Sequence, residues 1–451
     1  MKLSDSLRAG RRLSPVKPRA GIDDQLHQRT YNSVKSKVHF RLVEELDLAT
    51  VTDLPREELA AAVRQTLQEI TTVEQLPLNQ TERSMLVSDL MNEIMGLGPL
   101  EPLMADPTVQ DILVNGHAQV YVEKSGLLTL SATRFRDDEH LMQIIDRIVT
   151  AVGRRVDESS PMVDARLADG SRVNVVIPPL SLCGPVLSIR KFAHQALTVE
   201  ALIDNQSITP EIYEYMRAAI KSRLNILISG GTGVGKTTFL NILSGFIPEA
   251  ERIITIEDSA ELRLHQPHVI SLEARPGNTE GRGSVTMTDL VRNSLRMRPD
   301  RIIVGEARGG EVMDMLQAMN TGHPGSMSTI HANSPRNALS RIQVMADMGE
   351  SSFSERALRG LIASAINVIV QLNRLADGKR RVTSISEVTG MQGETVTSQD
   401  VFVFEQHGIG ARGAVYGVFQ GTGVVSSYLD HFRSHGINLN TDIFSFQSHV
   451  R

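Results

Sequence analysis

The spacing of apolar positions changes character four times along the chain and divides it into five stretches. Residues 1–33 carry Arg8, Arg11, Arg12, Lys17, Arg19 and Arg29, with Pro15 and Pro18 and almost no periodic apolar pattern, which predicts a disordered basic arm. Over 34–95 the period is helical. Leu59, Val63, Leu67 and Ile70 recur on one face behind the Asp53–Pro55 start signal. Asn79 and Glu82 form a capping-box pair ahead of Leu86, Leu90 and Ile94, and Gly96 ends the run, so a short helical bundle is expected. Over 96–196 the pattern becomes mixed. Asn115-Gly116 and Asp169-Gly170 each separate two short β-patterned runs, a helix is expected over 137–152, and Pro185–Phe192 reads as a last strand. That is an α+β domain.

From 197 to 425 apolar strand runs first alternate with helical patterns, as in a parallel sheet covered by helices. Thr209-Pro210 opens one such helix, and beyond about 373 the runs at 381–388, 400–405 and 414–420 predict an antiparallel addition. The class is α/β. The last stretch, 426–451, has weak periodicity and three histidines without metal-ligand spacing, and reads as a poorly ordered or loosely docked tail.

Composition narrows the picture. The 451 residues exceed a single core, and 41% hydrophobic with 22% charged content is that of a soluble globular protein. A net charge of −5 argues against wholesale nucleic-acid binding, and the single Cys183 excludes an intrachain disulfide framework and suits a reducing cytoplasm. The most apolar stretch, around 174–189, is broken by Pro178, Pro179 and Pro185 and does not read as a membrane span; the N-terminus has no apolar core of a signal peptide.

The chemistry centres on Gly230-Gly231-Thr232-Gly233-Val234-Gly235-Lys236-Thr237, followed by Thr238, between the apolar run 225–229 and a helical pattern. A strand, a glycine-rich turn and a helix N-terminus aim successive backbone N–H groups at a phosphate chain. Lys236 then reaches the β/γ-phosphates and the Thr237 hydroxyl is placed to ligate Mg²⁺, so ATP and Mg²⁺ are the expected ligands. Two further strand runs end in carboxylates where such sheets bind ligands: 253–256 before Glu257 and Asp258, and 301–304 before Glu306. Glu306 is the expected water-positioning group; Glu257 and Asp258 are expected at the metal or just behind it. His323 and His331 bracket a glycine-containing loop and are expected as γ-phosphate sensors on the same edge. Arg292 and Arg296, four apart on an expected helix, with Arg282, Arg298 and Arg308 nearby, are candidates for arginines offered to a neighbouring subunit. In the α+β domain, Arg134, Arg154, Arg155, Arg166, Arg172 and Arg190 include candidate phosphate clamps.

These residues leave several readings open: a hydrolytic motor, a nucleotide-gated scaffold without useful turnover, and a small-molecule kinase. The kinase is weakened by the lack of an evident acceptor pocket. A GTPase is disfavoured because no Asn-Lys-x-Asp stretch occurs.

A resemblance then sharpens the choice. Gly230–Thr238, Ile256-Glu257-Asp258, Met297–Glu311, Met319–His323 and His331–Pro335 are similar to the boxes of type II/IV secretion ATPases. Leu97–Leu103 and Val152–Pro161 resemble the CpaF-type branch, which serves tight-adherence (Flp) pili. The resemblance covers about 85–420. It implies a RecA-like P-loop ATPase domain preceded by a PAS-like α+β domain, ATP held between the two, and a homo-hexamer. It also implies a place in the cytoplasm, peripheral at the inner membrane, working with platform proteins and only indirectly with pilin, without direct nucleic-acid contact. In these terms Glu306 ends the Walker B strand, and 323–331 is the His box. A related motor for conjugation or effector secretion is the neighbouring alternative. Ala307 and Pro324 depart from the family pattern, where a larger aliphatic and an acidic residue are expected.

Overall fold

The computed structural model describes residues 37, 38, 41, 56–73, 78–124, 127–192, 198–275, 283–349, 353–410 and 413–450. The basic arm, the Asp53–Pro55 signal and Arg282 lie outside them. The chain divides into two compact units between Lys191 and Phe192.

The first unit opens with α1 (Arg56–Val73) and α2 (Gln80–Met95). Leu59, Val63 and Leu67 of α1 close a small core with Leu86 and Leu90 of α2. The Asn79–Glu82 capping box forms as the residues dictate, each side chain accepting from the other's backbone N–H. After α3 (Glu101–Ala105) come β1 (Val109–Asn115), β2 (Gln119–Lys124), β3 (Leu127–Leu130), α4 (Asp138–Ala151), β4 (Met162–Arg166), β5 (Arg172–Val176) and β6 (Val186–Arg190). The strands form one six-stranded antiparallel sheet, order β3-β2-β1-β6-β5-β4. Alternate residues of β1, β2, β5 and β6 turn inward and meet Leu141, Ile144, Ile145 and Ile148 of α4. Asp137 caps that helix through the His140 N–H.

The second unit contains α5 (Val199–Asp204), α6 (Pro210–Lys221), β7 (Ile226–Gly230), α7 (Lys236–Ser244), β8 (Ile253–Glu257), β9 (Val269–Glu273), α8 (Met287–Ser294), β10 (Arg301–Ala307), α9 (Glu311–Asn320), β11 (Met327–Ile330), α10 (Pro335–Asp347), α11 (Glu355–Ala365), β12 (Val368–Arg374), β13 (Arg380–Gln392), β14 (Thr395–Ile409), β15 (Val415–Gly421), α12 (Leu429–Ser434) and β16 (Gln447–Val450). They build one ten-stranded sheet, order β16-β15-β14-β13-β12-β7-β11-β10-β8-β9. The pairings from β12 to β9 are parallel and those from β12 to β16 antiparallel. The inner parallel strands β7, β8, β10, β11 and β12 are buried on both faces, as crossover helices require, and the edge strand β9 is partly exposed. Ile226 and Ile228 of β7 face one core, and Leu227 between them faces the other.

The C-terminal stretch corrects an expectation. Rather than a loose tail, 426–450 adds α12 and the edge strand β16, and buries Phe432, Phe444 and Val450 in the main core. Phe444 stacks on Phe402 with ring centroids 5.8 Å apart. The buried Glu387 carboxylate latches the start of the segment, accepting from Tyr215 Oη (2.7 Å), Ser426 Oγ (2.5 Å) and Ser427 N and Oγ (2.9 and 2.7 Å).

Candidate functional site

In the second unit the parallel strands point their C-terminal ends one way, and the candidate site is built from the loops at that edge. The loop after β7 turns through Gly233 (φ 70°) and Gly235 (φ 91°), both left-handed, and delivers Lys236 to the first turn of α7. Gly230 is required by close packing: a Cβ there would come within 2.6 Å of Leu372 O on β12. Thr237 and Thr238 follow on the same helical turn, half-buried. Val234 is buried beneath the loop, whereas Thr232 and Gly233 are exposed at its crest. The side chain of Lys236 is buried and donates to Gly230 O (3.1 Å) and Gly231 O (3.0 Å).

Glu306, near the end of β10, lies across from this lysine, Oε1 4.0 Å from Lys236 Nζ. His331, directly after β11, places Nε2 2.6 Å from Glu306 Oε1 and 3.3 Å from Lys236 Nζ. Thr329 Oγ1 donates to Gly305 O (2.7 Å) and stitches β11 to β10 beneath this group. Burial, then the adjacent Lys236 charge, lowers the His331 pKa and favours neutral imidazole. Burial likewise lowers the Lys236 pKa, with Glu306 pulling the other way. Arg308 closes the group: Nε and Nη2 donate to Glu306 Oε2 at 2.9 and 2.5 Å, and Nη1 lies 3.6 Å from Asp258 Oδ2. Burial acts against its charge, but the hydrogen bonds to Glu306 and that carboxylate's charge raise the Arg308 pKa above its usual value.

The structure thus brings Lys236, Glu306, His331, Arg308 and Asp258 together, and separates others from them. Glu257 is turned inward under Gly305, where a Cβ would clash with it at 2.7 Å, and accepts from the N–H groups of Glu261 (2.9 Å) and Leu262 (3.1 and 3.2 Å). It shapes the loop that carries Asp258. His323 does not join His331. It precedes β11, and that four-residue strand, at roughly 3.3 Å per residue, puts it at the opposite edge of the sheet. Arg292 and Arg296 do not share a helix face, because α8 ends at Ser294; Arg292 pairs with Asp314 (3.0 Å), and Arg296 lies in the exposed turn beyond. Arg380, which sequence reasoning missed, places Cδ 3.4 Å from where a Cβ on Gly235 would stand. Its only signal is the basic run Lys379-Arg380-Arg381 after a turn, and the β12–β13 hairpin that carries it to the loop is a long-range product of the fold.

In the first unit, Arg166, Arg172 and Arg190 occupy one cross-strand row on β4, β5 and β6, with Asp111 of β1 next in line. Arg190 Nε contacts Asp111 Oδ1 at 3.1 Å.

The type II/IV secretion system protein family matches residues 93–429, and the N-terminal domain of type II secretion system protein E matches 31–95. The chain belongs to this family. It is an ATPase of the type II/IV secretion superfamily, consistent with a P-loop facing a strand-end carboxylate. A Mycobacterium tuberculosis protein described as a conjugal transfer protein is 37% identical over 322 residues, 70% of this chain and 91% of the relative. The type IV secretion system protein PtlH of Bordetella pertussis is 34% identical over 325 residues, 64% of this chain and 93% of the relative. Among solved structures, the VirB11 ATPase of the Brucella suis type IV secretion system, in complex with sulphate, is similar at 27% identity and a TM-score of 0.36. That match covers 64% of this chain and 96% of VirB11. Among the described residues no helix is long and apolar enough to cross a membrane.

Proposed function

We propose that this ATPase is the hydrolytic motor of a tight-adherence (Flp, type IVc) pilus assembly machine, of the CpaF type. In this reading it works as a homo-hexamer at the cytoplasmic face of the inner membrane, against platform proteins that handle pilin. Support for the branch comes from Leu97–Leu103 and Val152–Pro161, and support for hydrolysis from one observation above all. Glu306, on β10 with β11 between it and the P-loop strand, stands 4.0 Å from the P-loop lysine, where a carboxylate faces the end of a bound triphosphate. The small sheet domain is read as PAS-like, and its arginine row as a phosphate-recognising set that includes Arg190. Within the row, Arg190 pairs with Asp111.

The residues divide the work as follows. Backbone N–H groups of Gly231–Thr238 and the start of α7 bind the phosphate chain, and Lys236 neutralises its outer end. A bound Mg²⁺ would supply positive charge against the charge that develops on the phosphates. The Thr237 hydroxyl and Asp258 would hold it. Among the described residues no three His, Cys, Asp or Glu side chains converge on one point, and a Mg²⁺ held together with a nucleotide would need only one or two protein ligands. Glu306 orients the attacking water and accepts its proton, and neutral His331 lies beside its Oε1 at 2.6 Å. The test is steady-state phosphate release beside nucleotide binding: Lys236→Ala loses binding or turnover, and Glu306→Gln binds ATP but hardly hydrolyses it. Wild-type turnover in Glu306→Gln would remove the base assignment. Light scattering with a non-hydrolysable ATP analogue tests the ring, and a species monomeric under all conditions would undercut it.

A second reading, a motor for conjugation or effector secretion, is favoured by the names of the relatives in M. tuberculosis and B. pertussis. Neighbouring genes for pilin and prepilin peptidase, rather than mating-channel parts, decide for the first.

A further inference from the structure

Glu306 and Arg308 meet through a fork onto a single oxygen. Both donor nitrogens of Arg308 go to Oε2, at 2.9 and 2.5 Å, whereas Oε1 faces His331 Nε2 at 2.6 Å and Lys236 Nζ at 4.0 Å. The two oxygens of this carboxylate therefore look in different directions, one to the exposed rim and one to the P-loop. The last torsion of a glutamate is broad, so nothing intrinsic to Glu306 selects that plane. A planar guanidinium fork does.

The arginine is itself held in place. Its Nη1 leans on Asp258 at the end of β8, 3.6 Å away. Its backbone N–H and that of Gly309 donate to Glu311 Oε1 at 2.6 and 2.8 Å, and Glu311 is buried at the start of α9. Gly310 packs so closely on the α10–α11 turn that a Cβ would come within 3.1 Å of Gly349 Cα. A loop fixed at three successive residues thus presents the guanidinium to Glu306.

We propose that Arg308 is a positioning residue acting within its own subunit, which turns Glu306 Oε1 toward the P-loop and makes it the oxygen that receives the proton. The inference rests on the reading of Glu306 as the base. The water O–H bond breaks, its proton goes to Oε1, and the oxygen bonds to the γ-phosphorus. The bond from that phosphorus to the bridging oxygen breaks, and ADP leaves with the electron pair. Arg308 gives up no proton, since its pKa lies too high. A guanidinium committed to its own Glu306 and Asp258 is not free to serve a neighbour's phosphates, which distinguishes Arg308 from the arginines expected to act between subunits.

The experiment compares phosphate release and fluorescent-nucleotide binding for full-length wild type, Arg308→Gln, Arg308→Lys, Glu306→Gln and the double variant Glu306→Gln/Arg308→Gln. Arg308→Gln is expected to lower kcat by roughly 10- to 100-fold, the scale of a misplaced catalytic group, with nucleotide Kd within about threefold. Arg308→Lys recovers part of the loss, because one ammonium replaces one arm of the fork. The double variant is no slower than Glu306→Gln alone, and mixing Arg308→Gln with Glu306→Gln subunits restores no turnover, since each lesion disables its own site. Restored turnover on mixing, a loss of nucleotide affinity as large as the loss of kcat/KM, or wild-type kcat in Arg308→Gln would each overturn the proposal. If Glu306→Gln hydrolyses like wild type, the base assignment fails and this inference with it; if only Arg308→Gln does so, this inference alone fails.

Discussion

The parallel strands of the second unit end in two charged edges that hold similar side chains to different ends. At the N-terminal edge, Arg301 is wholly buried and donates to Glu251 through Nε (2.5 Å) and Nη2 (3.2 Å) and to Gly325 O through Nη1 (3.3 Å). Arg223 adds a contact to the same carboxylate at 3.3 Å. Beside it, Asn225 accepts from Gly325 N and Ser326 N and donates to Met319 O and Ala365 O, so both ends of its amide are used. At the C-terminal edge the matching pair, Arg308 and Glu306, is 60% and 20% exposed, and one carboxylate oxygen is turned to the loop that carries Lys236. Residue type does not separate the edges. What separates them is whether the chain itself satisfies the charges or leaves them facing a place where a polyanion fits.

Substitutions can break this contrast. The largest effect expected is on chemistry: Glu306→Gln should cut turnover by about 10²–10⁴-fold, with the melting midpoint nearly unchanged. Glu251→Gln should do the reverse, costing about 3–5 kcal/mol of stability by leaving the Arg301 charge buried and short of a partner. Phosphate release per folded molecule should then stay near wild type, and a specific loss of kcat in a stably folded Glu251→Gln would erase the distinction. Phe444→Ala, in the C-terminal segment, should cost about 3–5 kcal/mol for an emptied core position, measured by urea unfolding. A loss below about 1 kcal/mol would mean that the segment is indeed only loosely docked.

That last site marks where the sequence was hard to read. The P-loop, the strand runs before Glu257 and Glu306, and the Asn79 and Thr209 caps are local signals, complete within a few residues, and all form as expected. The C-terminal segment carries Phe432, Ile437, Leu439, Ile443, Phe444 and Phe446 at no fixed period, because they fill a surface made by Tyr215 and Phe402 from distant elements. Its anchor, Glu387, was invisible for the same reason. Placing His323 with His331 was an error of direction: a loop and the turn after the next strand lie at opposite ends of that strand, however close they are in sequence. Arg296 was misplaced because a helix expected to continue stops at Ser294, ahead of Arg298 at φ 55°. Arg380 required knowledge of which hairpin passes the P-loop.

The two histidines give the smallest and most direct form of the comparison. His331→Gln should lower kcat more than His323→Ala does, because only His331 contacts Glu306. His331 should also shape how stability follows pH. Burial and the Lys236 charge hold the His331 pKa below its usual value in the folded chain. As pH falls through about 6.5, the unfolded chain therefore takes up this proton before the folded one does. Stability should decline below about pH 6.5 and level off once the folded group also protonates. The loss is modest for a side chain one-third exposed, and the measurable quantity is a double difference: the melting-midpoint change of the nucleotide-free protein from pH 7.5 to 5.5, wild type against His331→Gln. The variant should show the smaller decline. If it keeps the full wild-type slope, the proton is not taken up at His331, and the contrast between the two edges fails at its most exposed point.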